Sequence, residues 1–123
     1  NRLLLKVLEN LYKVANTIVY TTLRHEYLMQ RINLTYDKRI DWQTFKNKCA
    51  LRFNITSNEI QSIAELLNLM EKHKESSVEF IRSNRLIMMS DNFRTESLSI
   101  EKLKSYLNIL KSVLKKLKDK VES

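Results

Sequence analysis

The chain has 123 residues, a formal net charge of +8 and neither glycine nor proline. A chain of this length can bury roughly two-thirds of its unfolded surface, so a core can form without metals or disulfides. Glycine and proline together average about 12% of a protein, and their absence excludes the usual chemistry of hairpins and tight turns. We therefore predict an all-α fold, an antiparallel bundle of four to five helices with long first and last helices.

The cysteine count and the net charge limit which compartment and which partners are expected for this protein. The single cysteine, Cys49, excludes an intrachain disulfide and is expected to be a buried apolar side chain in a nuclear or cytoplasmic protein. No run of about 20 apolar residues could span a membrane. The positive charge favours a polyanionic partner, nucleic acid first. The chain does not begin with methionine, and we expect one domain, residues 1–123, cut from the C-terminal part of a longer protein.

The first half of the chain contains two predicted helices. Apolar residues at alternating spacings of four and three predict a first helix over 3–32. Val7, Val14, Tyr20 and Leu28 widen its apolar stripe, so we expect this helix to be buried on more than one side. After a polar connection, Asp41 is expected to cap a second helix over 42–53, because its carboxylate can accept from the free N–H groups of a first turn. Asn54 is the expected stop.

The middle of the chain carries a local start signal and a clear loop. Thr56 and Glu59 fit the capping box S/T-x-x-E, in which each side chain accepts from the other's backbone N–H, and they predict a third helix over 57–72. A polar stretch then separates it from a fourth helix, predicted over 76–89. Residues 90–99 are predicted to form a loop.

The last helix is predicted to begin after a capping residue, Ser99, and to carry an apolar seam at alternating spacings of three and four. The seam consists of Ile100, Leu103, Leu107, Leu110, Leu114, Leu117 and Val121. It either packs within the bundle or pairs with another chain. The interface candidates are Leu107, Leu110, Leu114 and Leu117. If all four are buried in the monomer, the seam is not a docking surface.

The sequence contains few patterns that indicate catalysis or ligand binding. The two histidines, His25 and His73, have no zinc-ligand spacing with Cys49, and without glycine there is no phosphate-binding loop. Both histidines are expected to be ordinary helix residues, exposed or hydrogen-bonded. We predict no metal, no cofactor and no small-molecule substrate.

The segment FIRSNRLIMMSDNF, residues 80–93, resembles the signature of the HEPN superfamily, small helical bundles found in RNA-processing, toxin–antitoxin and stress-response proteins. Active members carry an arginine, often a nearby polar residue, and a histidine a few residues further on. Arg82 and Asn84 match the first two positions, and Met89 stands in the histidine position. The resemblance implies RNA cleavage in which the histidine moves protons, and methionine has no proton to titrate. We therefore predict no catalysis in this domain.

The resemblance implies a non-catalytic accessory domain of an RNA-processing protein that contributes RNA binding, dimerisation or both. It is similar in particular to the HEPN-like domains that follow the PIN nuclease domain of nuclear endoribonucleases in messenger-ribonucleoprotein surveillance, so the parent protein would be an endoribonuclease. The RNA-contact candidates are Arg82, Arg85, Arg94, Lys111, Lys115 and Lys118. For the lysines a solvated surface is the competing interpretation. The alternative function is a protein-interaction bundle that docks through its last helix and has no nucleic-acid role.

Overall fold

Four helices and three strands make up the part of the chain that the computed structural model describes, residues 2–90 and 95–122. In chain order they are α1 (Arg2–Leu28), α2 (Lys38–Thr44), α3 (Ser57–Glu75), β1 (Ser76–Arg82), β2 (Arg85–Ser90), β3 (Thr95–Ser99) and α4 (Ile100–Glu122). A π-helical turn (Phe45–Cys49) continues α2 without a break. The prediction of long first and last helices is confirmed.

Helix α1 lies at the centre of the fold and packs against α3, α4 and the π-helical turn. Its fully buried side chains recur at helical spacing and include Leu8, Leu11, Ala15, Ile18 and Leu23. Phe45 and Phe53 fill the space beside α1, and Cys49 is buried between them, as predicted. One core cluster therefore joins residues of α1, the π-helical turn, α3, α4 and the sheet, and Trp42 of α2 packs against it.

Two helical segments end in residues that take a left-handed backbone conformation. At the end of α1, Gln30 has φ 61°, its N–H donates to Tyr27 O, and Arg31 N–H donates to Glu26 O. These two bonds form a Schellman motif, which terminates the helix by satisfying carbonyls that the next turn would have used. The helix therefore ends four residues before the end of the predicted span of 3–32.

The same motif confirms Asn54 as a stop. Asn54 has φ 59°, its N–H donates to Leu51 O, and Ile55 N–H donates to Ala50 O. Asparagine tolerates this conformation better than most residues that have a Cβ, and it does here what glycine does in most proteins.

The predicted start of α2 is wrong. Asp37 caps this helix, with its Oδ1 accepting from the N–H groups of Arg39 at 3.0 Å and Ile40 at 3.2 Å. Asp41 lies one turn later and is 1% exposed. Its Oδ1 accepts from both the N–H and the hydroxyl of Thr35, which ties the connection before α2 to the helix. Either aspartate has the carboxylate that an N-cap requires, so residue type alone did not separate them.

The other two predicted caps are confirmed. Thr56 N–H donates to Glu59 Oε1 at 2.9 Å, and Glu59 N–H donates to Thr56 Oγ1 at 3.2 Å, which completes the capping box. Ser99 Oγ accepts from Lys102 N–H at 3.1 Å at the start of α4. Both caps join residues three apart, so the sequence alone was enough to find them.

The all-α prediction is wrong between residues 76 and 99. The segment predicted as a fourth helix folds as the hairpin β1–β2, and β3, predicted as loop, pairs with β2 to complete a three-stranded antiparallel sheet. Residues 91–94 of the predicted loop lie outside the described residues. Alternate residues of β2, Leu86 and Met88, are buried, as in a strand with one face on the core.

A two-residue turn explains why a chain without glycine can form this hairpin. Arg82 lies opposite Arg85, and Ser83 and Asn84 between them have φ values of 51° and 61°. Positive φ at both central residues is the requirement of a type I′ turn, whose twist matches that of the flanking strands. The absence of glycine and proline therefore did not exclude a hairpin, because Ser83 and Asn84 take the left-handed conformation here.

Glu59 also ties α3 to α4. Its carboxylate accepts from Ser112 Oγ at 2.8 Å and from Lys116 Nζ at 2.6 Å. Burial raises the pKa of Glu59, but the hydrogen bonds from Lys116, Thr56 and Ser112 outweigh burial and hold the pKa below its ordinary value.

These hydrogen bonds of Glu59 predict that the protein becomes less stable at acidic pH. The stabilisation is fully present above the unfolded-state pKa, about 4.3, and is lost as pH falls through the lower pKa of the folded state. We expect Glu59→Gln to lower the free energy of unfolding by about 1.5 kcal/mol at pH 7 and to flatten its decline between about pH 5 and pH 3. Urea titrations across that range measure both effects. Parallel curves for the two proteins would contradict this account of Glu59.

Candidate interaction surface

Helix α4 buries only part of its apolar surface. Leu103, Tyr106, Leu110 and Val113, at spacings of three and four, are all buried against the core. By contrast, 42% of Leu107, 46% of Leu114 and 55% of Val121 remain exposed. These three recur every seven residues and therefore share one stripe along the edge of the buried face.

Two residues of this exposed stripe, Leu114 and Val121, face a matching stripe of α1. Together they border a cleft of about 630 Å³, here called the α1–α4 groove. Its apolar walls are Val14, Thr17, Ile18, Thr21, Leu114, Leu117 and Val121. As predicted, α1 packs on more than one side, and Val7 and Tyr20 contact the core. Val14, 38% exposed, and Leu28, 70% exposed, do not add to the buried stripe, so that part of the prediction is wrong. Exposed apolar side chains that are contiguous in this way are typical of interaction sites.

Cations border the groove on both helices. On α4, Lys104, Lys111 and Lys118 recur every seven residues, one turn from Leu107 and Leu114. On α1, exposed Lys6, Lys13 and Arg24 occupy the outer edge of the stripe that holds Val14 and Thr17. Lys13 and Lys118 line the groove itself, and Glu122 is the acidic residue among those that line it. The groove is therefore an apolar channel between two cationic rows.

The four interface candidates separate into different environments. Leu110 is 1% exposed and Leu117 is partly buried against the core, whereas Leu107 and Leu114 are exposed. The condition that would have excluded a docking surface, burial of all four, is not met. The sequence missed the α1 side of the groove, whose signal was the recurrence of Val14, Thr17 and Thr21 on one stripe.

The RNA-contact candidates are not brought together in one site. Arg82 and Arg85 are exposed at the turn end of the hairpin, where Arg85 Nε donates to Ser97 Oγ at 2.7 Å. Arg85 lies opposite Ser99, next to the start of α4. Exposed Lys111, Lys115 and Lys118 begin roughly 16 Å further along that helix. Arg94 lies outside the described residues.

The positions that resemble the HEPN motif have a different geometry from the one predicted. In a helix, Arg82 and Met89 would lie two turns apart on one face. Here Arg82 ends β1 beside the turn, and Met89 lies four residues from that turn along β2, opposite Val78. The two positions are therefore separated by roughly 13 Å along the strand. The helical setting predicted for the motif is wrong, while the relation to the superfamily stays a prediction.

Cys49, His73 and His25 lie outside the groove, and each is buried in the fold or contacts another residue of it. Burial, with the negative charge of Glu26 adding to it, raises the pKa of the Cys49 thiol to about 11, so it is not a thiolate nucleophile at neutral pH. His73 Nδ1 lies 2.8 Å from a carboxylate oxygen of Glu79 and connects α3 to β1. His25 packs edge-on against Phe53 at 6.0 Å. Among residues 2–90 and 95–122, no cluster of three or more His, Cys, Asp or Glu side chains could hold a metal ion.

Sequence reasoning also missed a buried ion-pair cluster. The carboxylate of Glu26 is 1% exposed, and it lies 2.7 Å from Arg31 Nη1 and 3.1 Å from Arg52 Nε. This cluster joins the end of α1 to the segment after the π-helical turn. No sequence signal marked it, because Arg52 lies far from Glu26 along the chain.

Comparison with known proteins identified no relative: no family model, no curated protein and no solved structure matches the chain. None of the helices in the described part of the chain is both long enough and apolar enough to cross a lipid bilayer.

Proposed function

We propose that this bundle is a protein-interaction module that binds an acidic amphipathic helix of a partner in the α1–α4 groove. The observation that carries the proposal is the exposure of Leu114 and Val121, which line the groove between two rows of cations. The proposal keeps one part of the alternative function derived from the sequence, docking through the last helix, and adds the α1 side of the site.

The shape and the charge of the groove favour this occupant. An amphipathic helix binds a groove through apolar anchors at helical spacing, and the stripe of α4 offers contacts every seven residues. Acidic residues flanking the anchors would meet Lys13 and Lys118. A second copy of the chain would instead bring lysine rows against lysine rows, and like charges across an interface are repelled.

A designed peptide tests the proposal. We would label a helical peptide with leucine at a and d positions and glutamate at flanking positions, and measure its fluorescence anisotropy with the protein. We expect saturable binding that weakens as salt increases. The double variant Lys111→Glu/Lys118→Glu should weaken it about tenfold or more, or at least about 1.4 kcal/mol, and should strengthen binding of the peptide with lysine in place of glutamate.

The matched control moves the same two charges elsewhere. Lys46 and Lys48 are exposed on the π-helical turn, outside the groove, so Lys46→Glu/Lys48→Glu should leave peptide affinity within about twofold. Equal losses of peptide affinity in both double variants would show that the effect comes from net charge alone, and would refute binding in the groove. A dimer that is present without peptide, and that dissociates on Leu114→Ser, would assign the groove to a second copy.

RNA contact is the second candidate, as the non-catalytic HEPN-like role would require. The observation that favours it is the exposure of Lys111, Lys115 and Lys118 along the second half of α4. Each lysine that binds a phosphate adds roughly 0.7–0.9 to the slope of log affinity against log salt. Replacing lysines one at a time would therefore distinguish phosphate contacts from a solvated surface.

A further inference from the structure

A second cleft lies on the other flank of α1, between α1, α2 and α3. Its volume is about 630 Å³, within the range of roughly 300–1,000 Å³ for small-molecule and cofactor sites. Three aromatic side chains line it: Tyr12, Tyr20 and Trp42. We call it the aromatic cleft. It shares no lining residue with the α1–α4 groove.

The ring of Trp42 is supported on one face by a second aromatic ring. Its ring stacks on the buried ring of Phe45, with centroids 5.6 Å apart and an interplanar angle of 25°. Trp42 itself is only half-buried and lines the cleft. One face of the indole is thus supported by the core, and the ring borders a space large enough for another flat ring. A ring fixed in this way needs little reordering to accept a stacking partner.

The polar groups at the cleft match those of a nucleotide. Lys38 and Arg39 are exposed next to Trp42 in α2 and can reach a phosphate. Asn16 and Asn68 each present an amide that can both donate to and accept from a base edge. Glu71 at the rim is an acceptor for an exocyclic amino group.

We infer that the aromatic cleft binds a base of a single-stranded nucleic acid. Aromatic side chains with adjacent cations are the combination by which proteins hold single strands, because every base has a π face and every linkage a charge. An aliphatic protein anchor would use the rings but not the two amides and the two cations. The inference goes beyond the groove proposal and supplies a base site, separate from the α4 lysines, for the second candidate function.

The protein contains its own reporter, since Trp42 is its single tryptophan. We would titrate oligocytidylate, whose amino groups can donate to Glu71, and record tryptophan fluorescence at low salt. A base stacked on the indole should quench it in a saturable way. Tyr20→Ala should weaken binding roughly 5- to 150-fold, the equivalent of about 1–3 kcal/mol for one stacking contact, and Tyr20→Phe should retain most of the affinity.

Two controls separate this site from the other surfaces. An abasic strand of the same length carries the phosphates without the bases and should not quench Trp42. The variant Lys111→Gln/Lys118→Gln should keep the quenching even if it lowers the salt dependence. Equal quenching by the abasic strand, or none by oligocytidylate at low salt, would overturn the inference. Displacement of the oligonucleotide by the acidic peptide, with the same change in fluorescence, would assign the cleft to a protein partner.

Discussion

Replacing both Arg31 and Arg52 with glutamine will lower the free energy of unfolding by about 3 kcal/mol, the lower end of the cost of breaking a buried ion pair. Glu26 is 1% exposed, and the double variant would leave its charge buried without either guanidinium. The lower end applies because both arginines are about 40% exposed and interact partly through water. Urea titration with an unchanged m value would measure the loss.

A rescue experiment checks the mechanism. Adding Glu26→Gln to the double variant removes the uncompensated charge, so the triple variant should regain more than half of the lost stability. Arg24→Gln, on the exposed side of the same helix, should change the free energy of unfolding by less than about 0.5 kcal/mol. A triple variant no more stable than the double variant would show that the cost comes from lost packing.

The second large effect separates two leucines of one helix. Leu110→Ala will destabilise the protein by about 2–5 kcal/mol, because a fully buried side chain leaves a cavity. Leu114→Ala will cost less than about 1 kcal/mol, since nearly half of this side chain already contacts solvent. Thermal unfolding should therefore shift strongly for the first variant and slightly for the second.

Binding should respond differently from stability. With the designed acidic peptide, Leu114→Ala should lose affinity while the domain stays folded. Leu107 has a similar exposed fraction but does not line the groove, so Leu107→Ala should match the small stability cost of Leu114→Ala and lose less affinity for the peptide. If Leu114→Ala destabilises the protein as much as Leu110→Ala, the α1–α4 groove is closed in solution and the docking proposal fails.

The helix start and stop signals that the sequence predicted correctly all act over a short distance along the chain. The capping box of Thr56 and Glu59, the cap at Ser99 and the stop at Asn54 all use bonds between residues at most five apart along the chain. The energies that select these features are local, so a short stretch of sequence contains all the partners involved. Asp41 shows the limit of this, because a carboxylate one turn from the true cap satisfies the same local rule.

The sheet depends on partners that a local pattern does not contain. Leu86 pairs with both Ile81 and Leu98, so β2 becomes a strand only when β1 and β3 lie on its two sides. Isolated, the apolar run of β2 is as compatible with a buried helix as with a strand. The left-handed pair Ser83 and Asn84 then decides between them, because it turns β1 back onto β2.

By itself, the sequence determined the positions of the long helices, most of their caps and the apolar seam of α4, because periodicity and capping are properties of neighbouring residues. Tertiary structure alone decided which half of that seam is buried. Leu110 and Leu114 are neighbouring positions of the same seam, and only the placement of α1 beside α4 leaves the first in the core and the second at the edge of a groove. The sequence of a helix specifies where its apolar stripe lies. How much of that stripe is buried depends on the elements that pack against it.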